Sequence, residues 1–231
     1  MSNWDYFVEQ FITYGGYKKV LNGLLITVEV AVLGLIIGVI IGTIIAIVKL
    51  LPKNRVIVRI LDKIGVVYVA IFRGTPMVVQ LLVAYWVLLP VLGWDVAAKA
   101  VAITMFGLNS GAYVSEIMRA GINSVDKGQM EAGRALGLTF WKSMLKIVIP
   151  QSIKNILPTI GNEFISLIKE TSVLSFIAIV DLTKAFKQLG DGNYNYIIPY
   201  LMLAIVYLVL VLIITLLVKL LERRLRAGDK R

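Results

Sequence analysis

"LNGLLITVEVAVLGLIIGVIIGTIIAIV", Leu21 to Val48, decides the fold class, because Glu29 is its only ionisable side chain. A helix needs about 20 consecutive apolar residues to cross the hydrocarbon of a bilayer. Backbone polar groups find no water there, so an apolar run of this length reads as a spanning helix. Small residues recur along it: Gly34, Gly38, Gly42 and Ala46 form a stripe on one face. Such a stripe lets another helix approach closely. Packing within one subunit and packing between subunits both satisfy it.

Outward from this segment, four more apolar runs follow. Ile64 to Leu89 contains Arg73 and Pro76, and Val96 to Met118 comes next. Ile147 to Val180 carries Pro158, Glu163, Lys169 and Glu170, and Ile197 to Leu221 is last. The fourth run is long and partly polar, and reads as a span followed by a shorter helix. The expected architecture is an all-α membrane protein with about five transmembrane helices, a single domain over residues 1–231. Composition agrees: 58% of the residues are apolar and 16% charged. That is too apolar for an ordinary soluble domain.

Charge sets the expected orientation. Lys49, Lys53, Arg55, Arg59 and Lys63 follow the first run, and Arg119, Lys127, Arg134, Lys142 and Lys146 follow the third. Lys219, Arg223, Arg224, Arg226, Lys230 and Arg231 follow the fifth. The opposite side holds only Lys18, Lys19, Lys99, Lys184 and Lys187. Basic residues accumulate on the cytoplasmic side of membrane proteins. This places the N-terminus outside, the C-terminus in the cytoplasm, and "DLTKAFKQLGDGNYNY" (Asp181–Tyr196) outside as a loop. The same residues account for the net charge of +10, so no nucleic-acid partner is called for. The chain has no cysteine and no histidine, which excludes disulfides, Cys/His metal sites and histidine-based catalysis. "MSNWDYFVEQ" is acidic and aromatic, unlike a cleavable signal peptide.

One polar stretch interrupts the oil: "SVDKGQMEAGRALGLTFWKSMLK", Ser124 to Lys146. Asp126 is placed to cap a helix over Lys127 to Leu136, with Gln129 able to reach back to the cap. Gly137 suits a left-handed stop. Thr139 is placed to cap a second helix from Phe140 to about Ile149, before Pro150. Met130, Leu136, Leu138, Phe140 and Trp141 would then face the cytoplasm. They need a partner surface or a seat in the lipid interface.

"EAGRALGLTFWKSMLKIVIP" resembles the cytoplasmic signature loop of ABC-importer permeases, with Glu131, Ala132, Gly137, Ile147 and Pro150 in register. Gly133 stands for an alanine of that pattern and Ile149 for a leucine. "FRGTPMVVQLL" (Phe72–Leu82), "GLNSGAYVSEIMRAGINSVDKGQMEAGRALG" (Gly107–Gly137) and "ILPTIGNEFISLIKETSVLSFI" (Ile156–Ile177) are similar to the polar amino-acid branch of that family. The likeness spans residues 15–225. It implies a bacterial inner-membrane permease that pairs with a second permease copy, two ABC ATPase subunits and an extracytoplasmic solute-binding protein. ATP and Mg would sit on the ATPase, since nothing here matches G-x-x-x-x-G-K-[ST]. No cofactor is expected on this chain, which would not itself be an enzyme. On this resemblance Met130, Glu131, Ala132, Leu136, Gly137 and Leu138 couple to the ATPase. Glu131 would pair with a basic residue of the partner, and Gly137 would permit close approach and the bend.

Charges inside spans disfavour insertion by about 2.5–3.5 kcal/mol at the helix centre, so each one marks a functional candidate. Helical spacing puts Arg73, Met77 and Gln80 on one face, Asn109, Tyr113 and Glu116 on another, and Glu163, Ser166 and Glu170 on a third. Arg73 can clasp a carboxylate in bidentate fashion. Pro76 bends its run and frees carbonyls near Gly74 and Thr75. Glu163 can hold an ammonium or guanidinium, which favours a basic amino acid (arginine, lysine or histidine); glutamine is the rival. The competing reading of these polar residues is a structural network, such as Arg73 with Glu116. An ion-coupled transporter using Glu29 and Glu163, and a scaffold that recruits a partner through the polar loop, are the other function classes. Five spans do not divide into two inverted halves, which counts against many secondary transporters.

Overall fold

The computed structural model describes residues 2–227, which contain helices and no strand. Lys230 and Arg231 from the charge count, and the C-terminus itself, lie outside the described residues. In chain order the helices are α1 (Asn3–Val8), α2 (Gly16–Leu50), α3 (Val56–Gly74), α4 (Met77–Val83), α5 (Leu89–Leu92) and α6 (Ala98–Asn123). They continue with α7 (Lys127–Ala135), α8 (Phe140–Ser143), α9 (Ile149–Glu170), α10 (Leu182–Gly190) and α11 (Ile197–Ala227). Wide π turns at Ala84–Leu88 and Met144–Val148 join α4 to α5 and α8 to α9, and a tight 3₁₀ segment, Thr171–Ile177, follows α9.

α2 and α6 form the spine. Glu29 meets Lys99 at 2.9 Å, Gly34 faces Phe106, Gly38 faces Ser110, Gly42 faces Val114, and Lys49 meets Glu116 at 2.8 Å. Residue numbers rise together on both helices, so the two run side by side in the same direction. A Cβ at Gly38 would stand 2.6 Å from the Ser110 Cβ and 3.1 Å from the Gly111 backbone nitrogen. Lipid tails are as apolar as leucine, so helices in a membrane associate by close packing and polar contacts, not by hydrophobic gain. The glycine stripe is therefore filled within the subunit, which settles the choice the sequence left open.

The other long helices close around this pair. Gly121 faces Ile156, and the Ser124 hydroxyl accepts from Asn155 at 2.9 Å, so α9 runs against α6. Gly161 faces Val218, and the Thr171 and Tyr207 hydroxyls lie 3.5 Å apart, so α11 runs against α9. On α3, Gly65 faces Ile45 and the Tyr68 hydroxyl donates to the Leu108 carbonyl. The C-terminal ends of α2, α6 and α11 consequently share one end of the molecule, gathering Lys49, Arg119, Lys219, Arg223 and Arg224. Phe106, Leu167, Ile168, Leu174 and Ile177 form the main core; Phe7, Val20, Leu182, Ala185 and Phe186 form a second one.

Several expectations change. Among the described residues only α2 and α11 are long and apolar enough to cross a membrane alone, and α3 with α4–α5 makes a third span only as a pair bent by 106°. The Ile64–Leu89 run is thus not one helix: α3 starts earlier, at Val56, and stops at Gly74. Asp181–Tyr196 is not simply a loop. The wholly buried Asp181 carboxylate accepts from the Thr183 and Lys184 amides at 3.0 and 3.1 Å, starting α10. α10 lies in the second core because Leu182, Ala185, Phe186 and Leu189 share its buried face. An unexpected α1 is closed by a capping box, Ser2 with Asp5.

Candidate functional site

The break between α3 and α4 begins with Pro76. Proline lacks an amide hydrogen and pushes its predecessor to extended backbone, and Thr75 sits at φ −125°, ψ 146°. The last carbonyls of α3 then lose their helical partners. Gln80 Nε2 donates to the Phe72 carbonyl at 2.8 Å and to the Thr75 carbonyl at 2.9 Å. Asn109 Nδ2 donates to the Phe72 carbonyl at 3.3 Å and to Gln80 Oε1 at 2.9 Å. Both side chains are buried. Gln80 and Asn109, expected to address a substrate, here satisfy carbonyls that the break sets free.

The bend also dissolves the expected face of Arg73, Met77 and Gln80, because the helix does not continue through them. Met77 is buried in the main core. Thr75 Oγ1 donates to the Ile71 carbonyl at 2.8 Å. Arg73 stays exposed, its guanidinium 5.2 Å from the centre of the Tyr113 ring. That is cation–π range. Gly74 has open space around it. The freed carbonyls that matter are those of Phe72 and Thr75, not Gly74.

On α9, Glu163 is half-buried with its carboxylate near the Ser110 hydroxyl of α6, which makes no hydrogen bond among the described residues. Ser166 is half-buried and Asn162 exposed. Ser110 was missed in the sequence because a lone serine amid Gly and Ala reads as spacing; its hydroxyl is wholly buried beneath Gly38. One turn further along α6 lies Tyr113, so this helix touches both Arg73 and Glu163. Glu116 does not join them. Its carboxylate accepts from Lys49 at 2.8 Å and from Arg119 Nη2 at 2.7 Å, at the basic end of the molecule. The pairing of Arg73 with Glu116 is not formed; Arg73 has Tyr113 instead. No group of His, Cys, Asp or Glu among the described residues could hold a metal ion.

The α7–α8 elbow is built locally. Asp126 Oδ1 accepts from the Gly128 amide at 2.7 Å. Gln129 does not reach back to the cap; its Oε1 accepts from Gln151 at 3.1 Å, tying α7 to α9. The stop is a left-handed turn at Gly137, φ 80°, with the Leu138 amide donating to the Gly133 carbonyl at 3.1 Å. Nothing lies within 4 Å of a Cβ built on Gly137, so φ, not close approach within the chain, calls for glycine there. Close approach falls on Gly133, where a Cβ would stand 2.8 Å from both Ser143 Oγ and Ile147 Cδ1. α8 does not end before Pro150; it passes through the π turn into α9, whose first turn holds that proline. Glu131, Ala132 and Leu136 are exposed, Leu136 at 82%, and Phe140 and Trp141 are partly uncovered at 38% and 41%; Met130 and Leu138 are half-buried.

The sequence profile described as binding-protein-dependent transport system inner membrane component matches residues 21–227. The chain belongs to that family. Among its relatives is the arginine transport system permease protein of Bacillus subtilis (strain 168), 41% identical over 91% of this chain and 94% of the relative. A putative glutamine transport system permease protein of Rickettsia bellii is 39% identical over 89% of this chain and 92% of the relative. The solved structure of an amino acid ABC transporter with histidines superposes with a TM-score of 0.85 at 38% identity, covering 93% of this permease and 97% of that chain. An inward-facing methionine ABC transporter shares the fold, with a TM-score of 0.68 at 17% identity over 97% of this chain and 99% of that one.

Proposed function

We propose that this chain is the permease subunit of an ATP-driven amino-acid importer in a bacterial inner membrane. The observation that carries the reading is the α7–α8 elbow, a rigidly capped pair of helices at the basic end with Leu136 and Trp141 uncovered. A separate ATPase dimer, which binds ATP and Mg, grips this elbow. A second permease copy completes the pathway, and a solute-binding protein delivers the amino acid from outside. The segments crossing the membrane are α2, α3 with α4–α5, α6, α9 and α11. The elbow end faces the cytoplasm, as the positive-inside rule requires.

Arg73, Gly74, Tyr113, Glu163 and Ser166 line the substrate path. Thr75, Met77, Gln80 and Asn109 hold its frame, and Glu116 belongs to the basic end. A half-buried carboxylate on α9 suits a cationic amino acid, and the arginine system among the relatives is consistent with this. A glutamine system among the relatives supports the rival reading, in which Glu163 holds only the α-ammonium.

The test is uptake into proteoliposomes carrying the permease, its ATPase and its binding protein. Uptake should require ATP and be indifferent to ion gradients; uptake driven by a gradient alone would refute the assignment. Glu163→Gln should reduce arginine uptake by about tenfold, the scale of one charged hydrogen bond, and glutamine uptake much less. Equal losses would leave Glu163 with the α-ammonium.

A further inference from the structure

α3 lies against α2, and two hollows open along the seam between them. One hollow, of about 290 Å³, is walled by Ile41, Ile44, Ile45, Leu61, Ile64 and Tyr68. The other, of about 350 Å³, lies toward the end of α2 and the start of α3, among Lys49, Lys53, Arg119 and Asn123. Lys49 and Asp62 line both, so the two hollows adjoin. Along α2 the aliphatic hollow begins at Ile41 and the basic one at Ala46, so the aliphatic hollow lies deeper in the bilayer.

The charges in the basic hollow do not cancel. Glu116 serves two cations, Lys49 at 2.8 Å and Arg119 at 2.7 Å, and Asp62 serves one, Lys53 at 2.6 Å. Arg55, Arg59 and Lys63 stand exposed nearby, without an ion pair among the described residues. A basic cup above a greasy slot matches an amphiphile with an anionic head and an aliphatic tail. We propose that this crevice binds one anionic phospholipid, its phosphate among Lys49, Lys53 and Arg119 and one acyl chain in the slot beside Tyr68.

Two other occupants fit less well. A second copy of the chain meeting this face symmetrically would bring its own basic rim against this one, like charge against like. A cytosolic protein cannot reach the slot, because Ile41 and Tyr68 lie well inside the spanning helices. The inference rests on the chain being a membrane component, not on which solute it carries, so a failed uptake assay leaves it standing.

The experiment is native mass spectrometry of the purified permease–ATPase complex titrated with dioleoylphosphatidylglycerol or dioleoylphosphatidylcholine. The wild type should retain one phosphatidylglycerol per permease chain, preferred by about fivefold over phosphatidylcholine, as expected for net basic charge at a lipid surface. Lys53→Gln with Arg119→Gln should abolish the preference. Gly65→Leu, projecting toward Ile45 where a Cβ would already stand at 3.4 Å, should displace both lipids. Ile44→Trp fills the same slot from the lipid-facing side and serves if Gly65→Leu does not fold, and Lys187→Gln at the other end should leave the preference intact. Equal retention of the two lipids by the wild type, or an undiminished preference in the charge variant, overturns the proposal. So does a slot variant that splits the complex into single permease copies without changing lipid retention, since the crevice would then be an interface.

Discussion

The α2–α6 seam and the α7–α8 elbow use the same residue type to opposite ends. In the seam, Gly34, Gly38 and Gly42 disappear so that Phe106, Ser110 and Val114 can press against the α2 backbone, and the chain fills the space itself. In the elbow, Gly137 turns the backbone and Gly133 lets α7 lie on Ser143 and Ile147, yet Leu136 is left 82% exposed. The seam is complete in one chain, whereas the elbow is folded but unfinished. Internal packing is what stability requires, and an uncovered apolar tip on a rigid support is what an interface requires.

The sharpest way to break this contrast is Gly38→Leu. It drives a side chain into Ser110 and the Gly111 backbone and should destabilise the chain by about 3 kcal/mol, the upper range for overpacking. Thermal unfolding in detergent measures it, and a wild-type melting temperature would mean the seam is looser than its distances. Gln80→Leu extends the contrast to the broken helix. It strands the Thr75 carbonyl, leaves the Phe72 carbonyl with Asn109 as its one side-chain donor and should lose about 1–3 kcal/mol in the same assay; no loss would show that water reaches the break.

For the elbow, Leu136→Ala with Trp141→Ala should leave unfolding unchanged while co-purification of the ATPase falls about tenfold, as for interface anchors. A stability loss with normal co-purification would reverse the two roles. The smallest effect lies at the opposite end. The Lys187 ammonium, 2.9 Å away, and the Tyr196 hydroxyl, 3.0 Å away, hold the Asp191 carboxyl below its usual range. A lowered carboxyl pKa stabilises the fold at neutral pH, and that contribution fades as acid protonates the folded carboxylate. Asp191→Asn should therefore flatten a slight acid dependence of melting below the ordinary aspartate range, and an unchanged profile would show the tie to be idle.

Much of the architecture was readable from local pattern. Runs such as Leu21–Val48 identify themselves, because crossing a bilayer is a demand on length and polarity. Asp126, Gly137 and Thr139 marked the elbow, since caps and turns are decided within a few residues. Hydropathy served less well for α6 and α9, whose polar side chains keep them below what length and composition demand of a lone span. Sequence spacing misled where the helix did not continue: Arg73, Met77 and Gln80 share a face only if Pro76 is crossed without a break. It also could not tell a polar residue aimed at a solute from one repairing a backbone, as Gln80 and Asn109 do.

By itself, then, the sequence determined an all-helical membrane chain, the capped polar elbow between two apolar runs and the buried-span charges worth testing, because each follows from composition or short-range pattern. Only the tertiary structure decided that the glycine stripe is spent on α6, that Glu116 answers to Lys49 and Arg119, and that Ser110 stands opposite Glu163. Those outcomes depend on which helices meet and at what register, and residues some 70 positions apart are brought together by packing that no local pattern records.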